Sequence, residues 1–200
     1  MPKISDEKRA ARRAQILEAA WSCFQREGLH ATTMDDIIRA SGLSAGAVYS
    51  YYPSKDKLIM AAVTTSLSGL SALIEPILKA EPPPSPDDFV RQVTATIAGF
   101  TARDGYDLKR IALLGWSEAQ RNERLRETMR GFYLAFRGRL ADLVGSWRRS
   151  GLVGESVPEQ DMAKALMSII LGFVVQAAIL GDVDGAALAS GLDGFARPTA

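Results

Sequence analysis

Residues 32–58 read TTMDDIIRASGLSAGAVYSYYPSKDKL, two short helical patterns around Gly42 followed by a turn at Pro53. Thr33 opens the first pattern. Its hydroxyl can cap the free N–H groups of a helix, and Asp36, three residues on, completes a capping box. Met34, Ile37, Ile38 and Ser41 then recur at helical spacing. Gly42 suits a helix-ending position at positive φ, where a Cβ would clash. Beyond Leu43, Ser44 caps a shorter helix that turns Val48 and Tyr51 or Tyr52 inward, and Ser54 caps the next. Two short helices joined by a glycine turn form a helix-turn-helix pattern.

Glycine-centred helix pairs also occur in ordinary bundles, so the chemistry of the second helix matters. Its outward face offers Ser44, Ala45, Gly46, Ala47, Tyr49 and Ser50. Small residues let a helix approach base edges, and an alanine methyl can touch a thymine methyl. Hydroxyls of Tyr49 and Tyr51 and the ammonium of Lys55 can meet phosphates, helped by the N–H groups at a helix start. Tyr52 reads as packing.

The rest of the composition sets bounds. Two hundred residues, 47% of them hydrophobic, can bury one large core or two small ones. A formal net charge of +1 leaves any nucleic-acid contact to a local patch. The segment with Lys3, Lys8, Arg9, Arg12 and Arg13 is such a patch, either a solvated arm or one that contacts phosphate. A single cysteine, Cys23, excludes an intrachain disulfide and fits a reducing cytoplasm. No apolar run follows the early charges as a secretory signal requires. The longest apolar stretch, residues 165–180, is shorter than the roughly 20 residues of a spanning helix and contains Ser168, Gly172 and Gln176. It reads as a buried interface helix, with no membrane partner.

Periodicity predicts helices throughout and no strand. A first helix over 6–26 carries Ile16, Leu17, Ala20 and Phe24, ends at Gly28, and keeps Trp21 and Cys23 as core. A long helix from Lys55 should bend or end at Pro76. Pro82 to Pro86 form a loop, and Ser85 with Pro86 starts a helix that stops near Gly105. Residues 106–120 and then 122–150 continue the pattern. In the latter, Leu125, Met129, Phe132, Phe136, Leu140, Leu143 and Trp147 form one stripe, and Arg124, Arg126, Arg130, Arg137 and Arg139 read as a solvated face. Ser156 and Glu159 could cap the helix over 161–180. A weakly helical segment, 185–195, closes the chain.

An enzyme finds little support. There is no phosphate-cradling glycine loop and no pair of metal ligands at helical spacing. His30 is the one histidine and a poor general base beside the helix pair. Glu118 reads as a surface ion pair or ligand anchor. No cofactor is called for, and the chain is expected not to be an enzyme.

Residues 16–37, ILEAAWSCFQREGLHATTMDDI, and 42–58, GLSAGAVYSYYPSKDKL, resemble the DNA-binding domain of the tetracycline-repressor (TetR/AcrR) family of bacterial transcription regulators. The resemblance implies an all-α chain with a three-helix helix-turn-helix domain over 1–54 and a helical ligand-binding and dimerisation domain over 55–200. It places Thr33, Ser44, Ala45, Gly46, Ala47, Tyr49, Tyr51 and Lys55 at DNA. Two positions depart from the family's pattern: Ile38, where a small alanine usually packs on the recognition helix, and Tyr52, in place of a common phenylalanine. The segments 113–129 and 151–176 resemble the drug- and metabolite-responsive regulators in outline only.

The expectation is therefore a homodimeric regulator, a repressor on a palindromic operator released by a small-molecule effector. An activator or ligand-independent regulator has the same architecture, and a helical interaction protein or ligand carrier is the more distant alternative. Phe100, Trp116, Phe132 and Phe136 line an apolar pocket or are plain core. With few charges among these stripes, the ligand is expected to be neutral or hydrophobic. Family likeness puts Ile169, Phe173, Gln176 and Leu180 at the dimer interface, and a helix so apolar does need cover on nearly every face.

Overall fold

The computed structural model describes residues 6–196; Lys3, in the basic arm, lies outside them. Helix α1 spans Asp6–Ala31, α2 Met34–Ser41, α3 Ala45–Tyr51 and α4 Lys55–Leu78. After the proline loop come α5 (Pro86–Thr101), strands β1 (Ala102–Arg103) and β2 (Tyr106–Asp107), α6 (Leu108–Ala119), α7 (Glu123–Arg149), α8 (Glu159–Ile179) and α9 (Gly185–Ala196). The fold is all-α, as the periodicity predicts, save for one ribbon. β1 and β2 pair across Gly105, whose φ of 84° is left-handed. Two residues per strand are too few to show alternation, so the pattern carried no sign of them.

The described residues fall into two compact units. The first runs to Ser66 and takes in Arg103–Leu125; the second holds Leu67–Ala102 and the chain from Arg126 onward. The divisions fall inside α4 and α7, so the first unit is larger than residues 1–54.

In the first unit, Ile16, Ala20, Cys23, Phe24, Ile37, Val48 and Leu58 are all at most 1% exposed. They are apolar side chains at helical spacing on four helices, and they make a single core. Gly28, at φ 82°, interrupts α1 before a last turn ending at Ala31. The hydroxyl of the buried Thr32 donates to the carbonyl of Gly28 at 2.7 Å, so this break is tied down. The segment returning from the ribbon is anchored on α1. The Tyr106 hydroxyl donates to the Glu18 carboxylate, and the backbone N–H of Asp107 donates to the Gln25 side-chain carbonyl. Burial and the adjacent Glu18 carboxylate push the Tyr106 phenol well above its ordinary range.

The second unit is built on α5 and α7. Ser85 caps α5 by accepting from the N–H of Asp88 at 3.2 Å, with Pro86 in the first turn. Phe89, Val93, Ile97, Leu140, Val144 and Trp147 are buried in its core. Pro76 sits in the last turn of α4, which ends two residues later. The expected cap of Ser156 and Glu159 is absent: Pro158 takes the N-cap position of α8 and no side chain bonds to the first turn.

Helix α9 packs on α5 through a close approach at Gly185. A Cβ there would stand 2.1 Å from the Thr94 hydroxyl and 3.1 Å from the Arg91 Cα. Thr94 is buried and its hydroxyl is bonded to the Val90 carbonyl, so neither side yields cheaply. Gly185→Ala is expected to cost about 1–3 kcal/mol by overpacking. Urea unfolding would measure it, and a loss below a few tenths would show that the N-terminus of α9 moves freely.

Candidate nucleic-acid interface and ligand cavity

The geometry of α2 and α3 follows from their caps. Thr33 and Asp36 form the reciprocal capping box: the Asp36 N–H donates to the Thr33 hydroxyl at 3.2 Å and the Thr33 N–H to the Asp36 carboxylate at 2.9 Å. The Thr33 hydroxyl donates to the same carboxylate at 2.6 Å. That bond, first, and the backbone N–H bond hold the Asp36 carboxyl below the usual carboxylate range. Its contribution to stability is complete above the unfolded-state pKa and fades as pH falls through the depressed one. Gly42 closes α2 at φ 66°, and Gln15 on α1 donates to the Ser41 carbonyl at 2.7 Å, fixing where the turn lies.

Ser44 caps α3 by accepting from the Ala47 N–H at 3.3 Å. With that register Val48 and Tyr52 turn inward, at 0% and 8% exposure, while Ser44, Ala45, Gly46 and Tyr49 are exposed and Ala47 and Tyr51 are half-buried. Burial pushes the Tyr52 phenol up. Ile37 is fully buried beneath α3 and Ile38 is half-buried.

Sequence reasoning left open what the basic segment does. From Lys8 onward it is part of helix α1, and Lys8, Ala11, Arg12 and Gln15 line a cleft of about 640 Å³ with Ala47, Ser50 and Tyr51 of α3. Two cationic side chains therefore stand on the same cleft as the exposed face of α3. Lys55 has an internal role as well. Its ammonium donates to the carbonyls of His30 and Thr32, both at 2.8 Å, and so clips the start of α4 to the end of α1 and the link to α2. One N–H of the three remains for another acceptor. The last turn of α1 also meets the end of α6, where His30 Nε2 lies 3.3 Å from the Glu118 carboxylate and 3.4 Å from the guanidinium of Arg121, two residues beyond that helix. Among the described residues no cluster could hold a metal ion. Burial pushes the Cys23 thiol up, in keeping with an inert core residue.

Of the four aromatic residues expected around a pocket, Phe132 and Phe136 line one cavity. Trp116 belongs to the first unit, and Phe100, Phe132 and Phe136 to the second. Phe132 and Phe136 share a cavity of about 320 Å³ with Ser71, Thr128, Gly131 and Arg139. Phe100 instead packs on Gly69, where a Cβ would stand 3.1 Å from its ring. Arg139 is the residue the periodicity misplaced. It turns onto α4, where its Nη1 donates to the Ser71 hydroxyl at 3.1 Å and to the Glu75 carboxylate. Lys79 pairs with the other Glu75 oxygen at 2.8 Å. The Lys79 bond, with the Arg139 charge beside it, holds the Glu75 carboxyl below its ordinary range.

On α8, Phe173 is 3% exposed, buried like Ile170 and Val174. Gln176 and Leu180 are exposed, with Ile179 and Leu180 at 65% and 63%, and Ile169 is half-buried. Helices α4 and α8 are each long and apolar enough to cross a membrane by length and composition alone. At 21 residues α8 exceeds the apolar run read from the sequence.

Comparison with known proteins agrees with this architecture. Residues 16–62 match the model of the bacterial regulatory proteins of the tetR family, and residues 107–195 match that of the BetI-type transcriptional repressor C-terminal region. The chain is 41% identical over 66 residues to the uncharacterized HTH-type transcriptional regulator YfiR of Bacillus subtilis, covering 33% of this chain and 32% of that one. It is 32% identical over 127 residues to the HTH-type transcriptional repressor Rv1474c of Mycobacterium tuberculosis, covering 59% and 63%. The match thus spans less than two thirds of the length of these relatives. In fold, the chain is similar to Salmonella enterica GusR, with a TM-score of 0.75 at 22% identity over 96% of this chain and 98% of that one. The chain belongs to the tetR family of bacterial regulatory proteins.

Proposed function

We propose that this protein is a cytoplasmic DNA-binding transcriptional regulator, a ligand-responsive repressor that binds a palindromic operator as a homodimer. Residues 1–54 read DNA, and residues 55–200 carry ligand binding and dimerisation. The observation that carries the reading is the exposed row Ser44, Ala45, Gly46 and Tyr49 on a helix capped by Ser44, beside a cleft lined by Lys8 and Arg12. Small exposed residues admit α3 to a major groove, and the cations meet phosphates on its flank. Thr33, Tyr51 and Lys55 complete the contact set. The exposed Ile179 and Leu180 at the end of α8, with Ile169, Phe173 and Gln176 along that helix, are covered by a second copy. Two recognition helices then face half-sites one helical turn apart or more, about 34–36 Å for adjacent turns. A small, largely apolar effector enters at Phe132 and Phe136 and releases the operator by binding one of two states more tightly.

Selection of bound DNA from random sequence, at a stated salt concentration, tests this. A palindrome is expected; recovery of no preferred sequence would sink the reading. Reporter transcription from the selected site, with and without the protein, separates repression from activation. On that site Tyr49→Ala is expected to cost roughly 1–3 kcal/mol of binding with the melting temperature unchanged. Lys55→Ala should lower the salt slope by about one if its remaining N–H meets a phosphate. A destabilised protein with an unchanged slope would assign Lys55 wholly to the clip.

A further inference from the structure

The cavity between α4 and α7 carries more chemistry than an apolar effector requires. One wall is aromatic, from Phe132 and Phe136, and the other is polar, with Ser71 and Arg139. Arg139 commits only one edge of its guanidinium. Both of its bonds, to Ser71 and Glu75, are made by Nη1, and Nε and Nη2 make no hydrogen bond among the described residues. That free edge is the pair of parallel donors that a carboxylate accepts side-on. The local charge favours such a guest. Glu75 has both oxygens engaged, one by Lys79 and one by Arg139, so two cations share one anion and a surplus of one positive charge remains. Among the described residues no acidic side chain lines the cavity itself. Its volume of about 320 Å³ is at the low end of the 300–1,000 Å³ typical of small-molecule sites.

We infer that this cavity binds a small monocarboxylic acid with an aromatic or short apolar body, its carboxylate on the Nε–Nη2 edge of Arg139 and its body against Phe132 and Phe136. This rests on the proposed effector site and names the class of compound it takes. One surplus charge and one free edge suit a monoanion. A dianion would leave a charge unpaired beside two phenyl rings, and a cation would meet the surplus positive charge of Arg139 and Lys79. Glu75 competes with the guest for the Arg139 charge.

The test uses the full-length protein and four probes, namely benzoate, benzamide, benzylamine and inorganic phosphate, titrated calorimetrically. Benzoate is expected to bind at least tenfold more tightly than each of the others. Arg139→Gln should abolish that preference while leaving benzamide unchanged. Where that variant fails to fold, Arg139→Lys keeps the charge and loses the fork, and should weaken benzoate at least fivefold. Glu75→Gln, which relieves Arg139 of its internal partner, is expected to tighten benzoate several-fold, a gain that a purely structural pair would not produce. Equal binding of benzamide, an unchanged preference in Arg139→Gln or Arg139→Lys, phosphate binding as tightly as benzoate, or no binding of benzoate would each overturn the inference. Release of the selected operator by neutral apolar compounds, with no carboxylate preference, would overturn it and leave the repressor reading standing. Failure to select any operator would sink that reading on its own, whatever benzoate does.

Discussion

Trp147→Ala is expected to lower the unfolding free energy by about 3–5 kcal/mol, the range for deleting a fully buried large aromatic. Trp147 is 1% exposed, and its ring meets Phe89 edge to face at 5.7 Å and 76°. Its indole N–H donates to the Pro84 carbonyl at 2.7 Å, fastening the proline loop to the second unit. Truncation removes all three contributions at once: the buried area, an aromatic pair worth about 0.5–1.5 kcal/mol, and the partner of the Pro84 carbonyl. Against a typical total of about 5–15 kcal/mol, that is a large fraction of the whole. Trp147→Phe separates the parts. It keeps most of the ring contact and loses the hydrogen bond, so it should cost about 1–3 kcal/mol. Urea unfolding followed by circular dichroism gives both numbers. An alanine variant within 1 kcal/mol of the parent would mean that the α5–α7 core collapses around the gap.

Phe24→Ala should cost a similar 3–5 kcal/mol in the first unit and also remove operator binding. Phe24 is 1% exposed, in a core with Ile16, Ile37, Val48 and Leu58 at 0%. Helix α3 has seven residues, far below the roughly 12–15 at which an isolated helix is even marginal in water. Its shape is therefore held by Val48 and Tyr52 against that core. Once Phe24 is gone the exposed row on α3 has no fixed frame. The contrast with Tyr49→Ala is diagnostic, since one variant loses DNA binding along with its melting temperature and the other loses it alone. Retained operator affinity in a destabilised Phe24→Ala protein would show that DNA itself supplies the missing order.

How far the site was legible in the sequence can be judged from Ser44 and Lys55. Ser44 was readable because a cap is a local event: a hydroxyl, a change of backbone angle and an N–H three residues on, all within one turn. The same locality made Thr33, Gly42, Ser54 and Ser85 readable. Lys55 was half-readable. Its place at a helix start is local, but the carbonyls of His30 and Thr32 that hold its ammonium lie 25 and 23 residues away. Periodicity says nothing about separations of that kind. The failed cap at Ser156 has the complementary lesson: Pro158 sets the backbone at the start of α8, and a suitable pair of side chains nearby does not ensure that they bond.

The exposed row on α3, its buried underside and the two helix caps followed from residue type and spacing alone, because capping and amphipathic burial act over one or two turns. The fate of the arginines on α7 did not. As a pattern they are a charged face opposite an apolar stripe, and a solvated surface and a cavity wall look identical along one helix. Only the packing of α4 against α7 set Ser71 and Glu75 opposite Arg139 and left one edge of its guanidinium facing no partner. A contact between residues 64 positions apart depends on which helices pack together, and that is a property of the whole core.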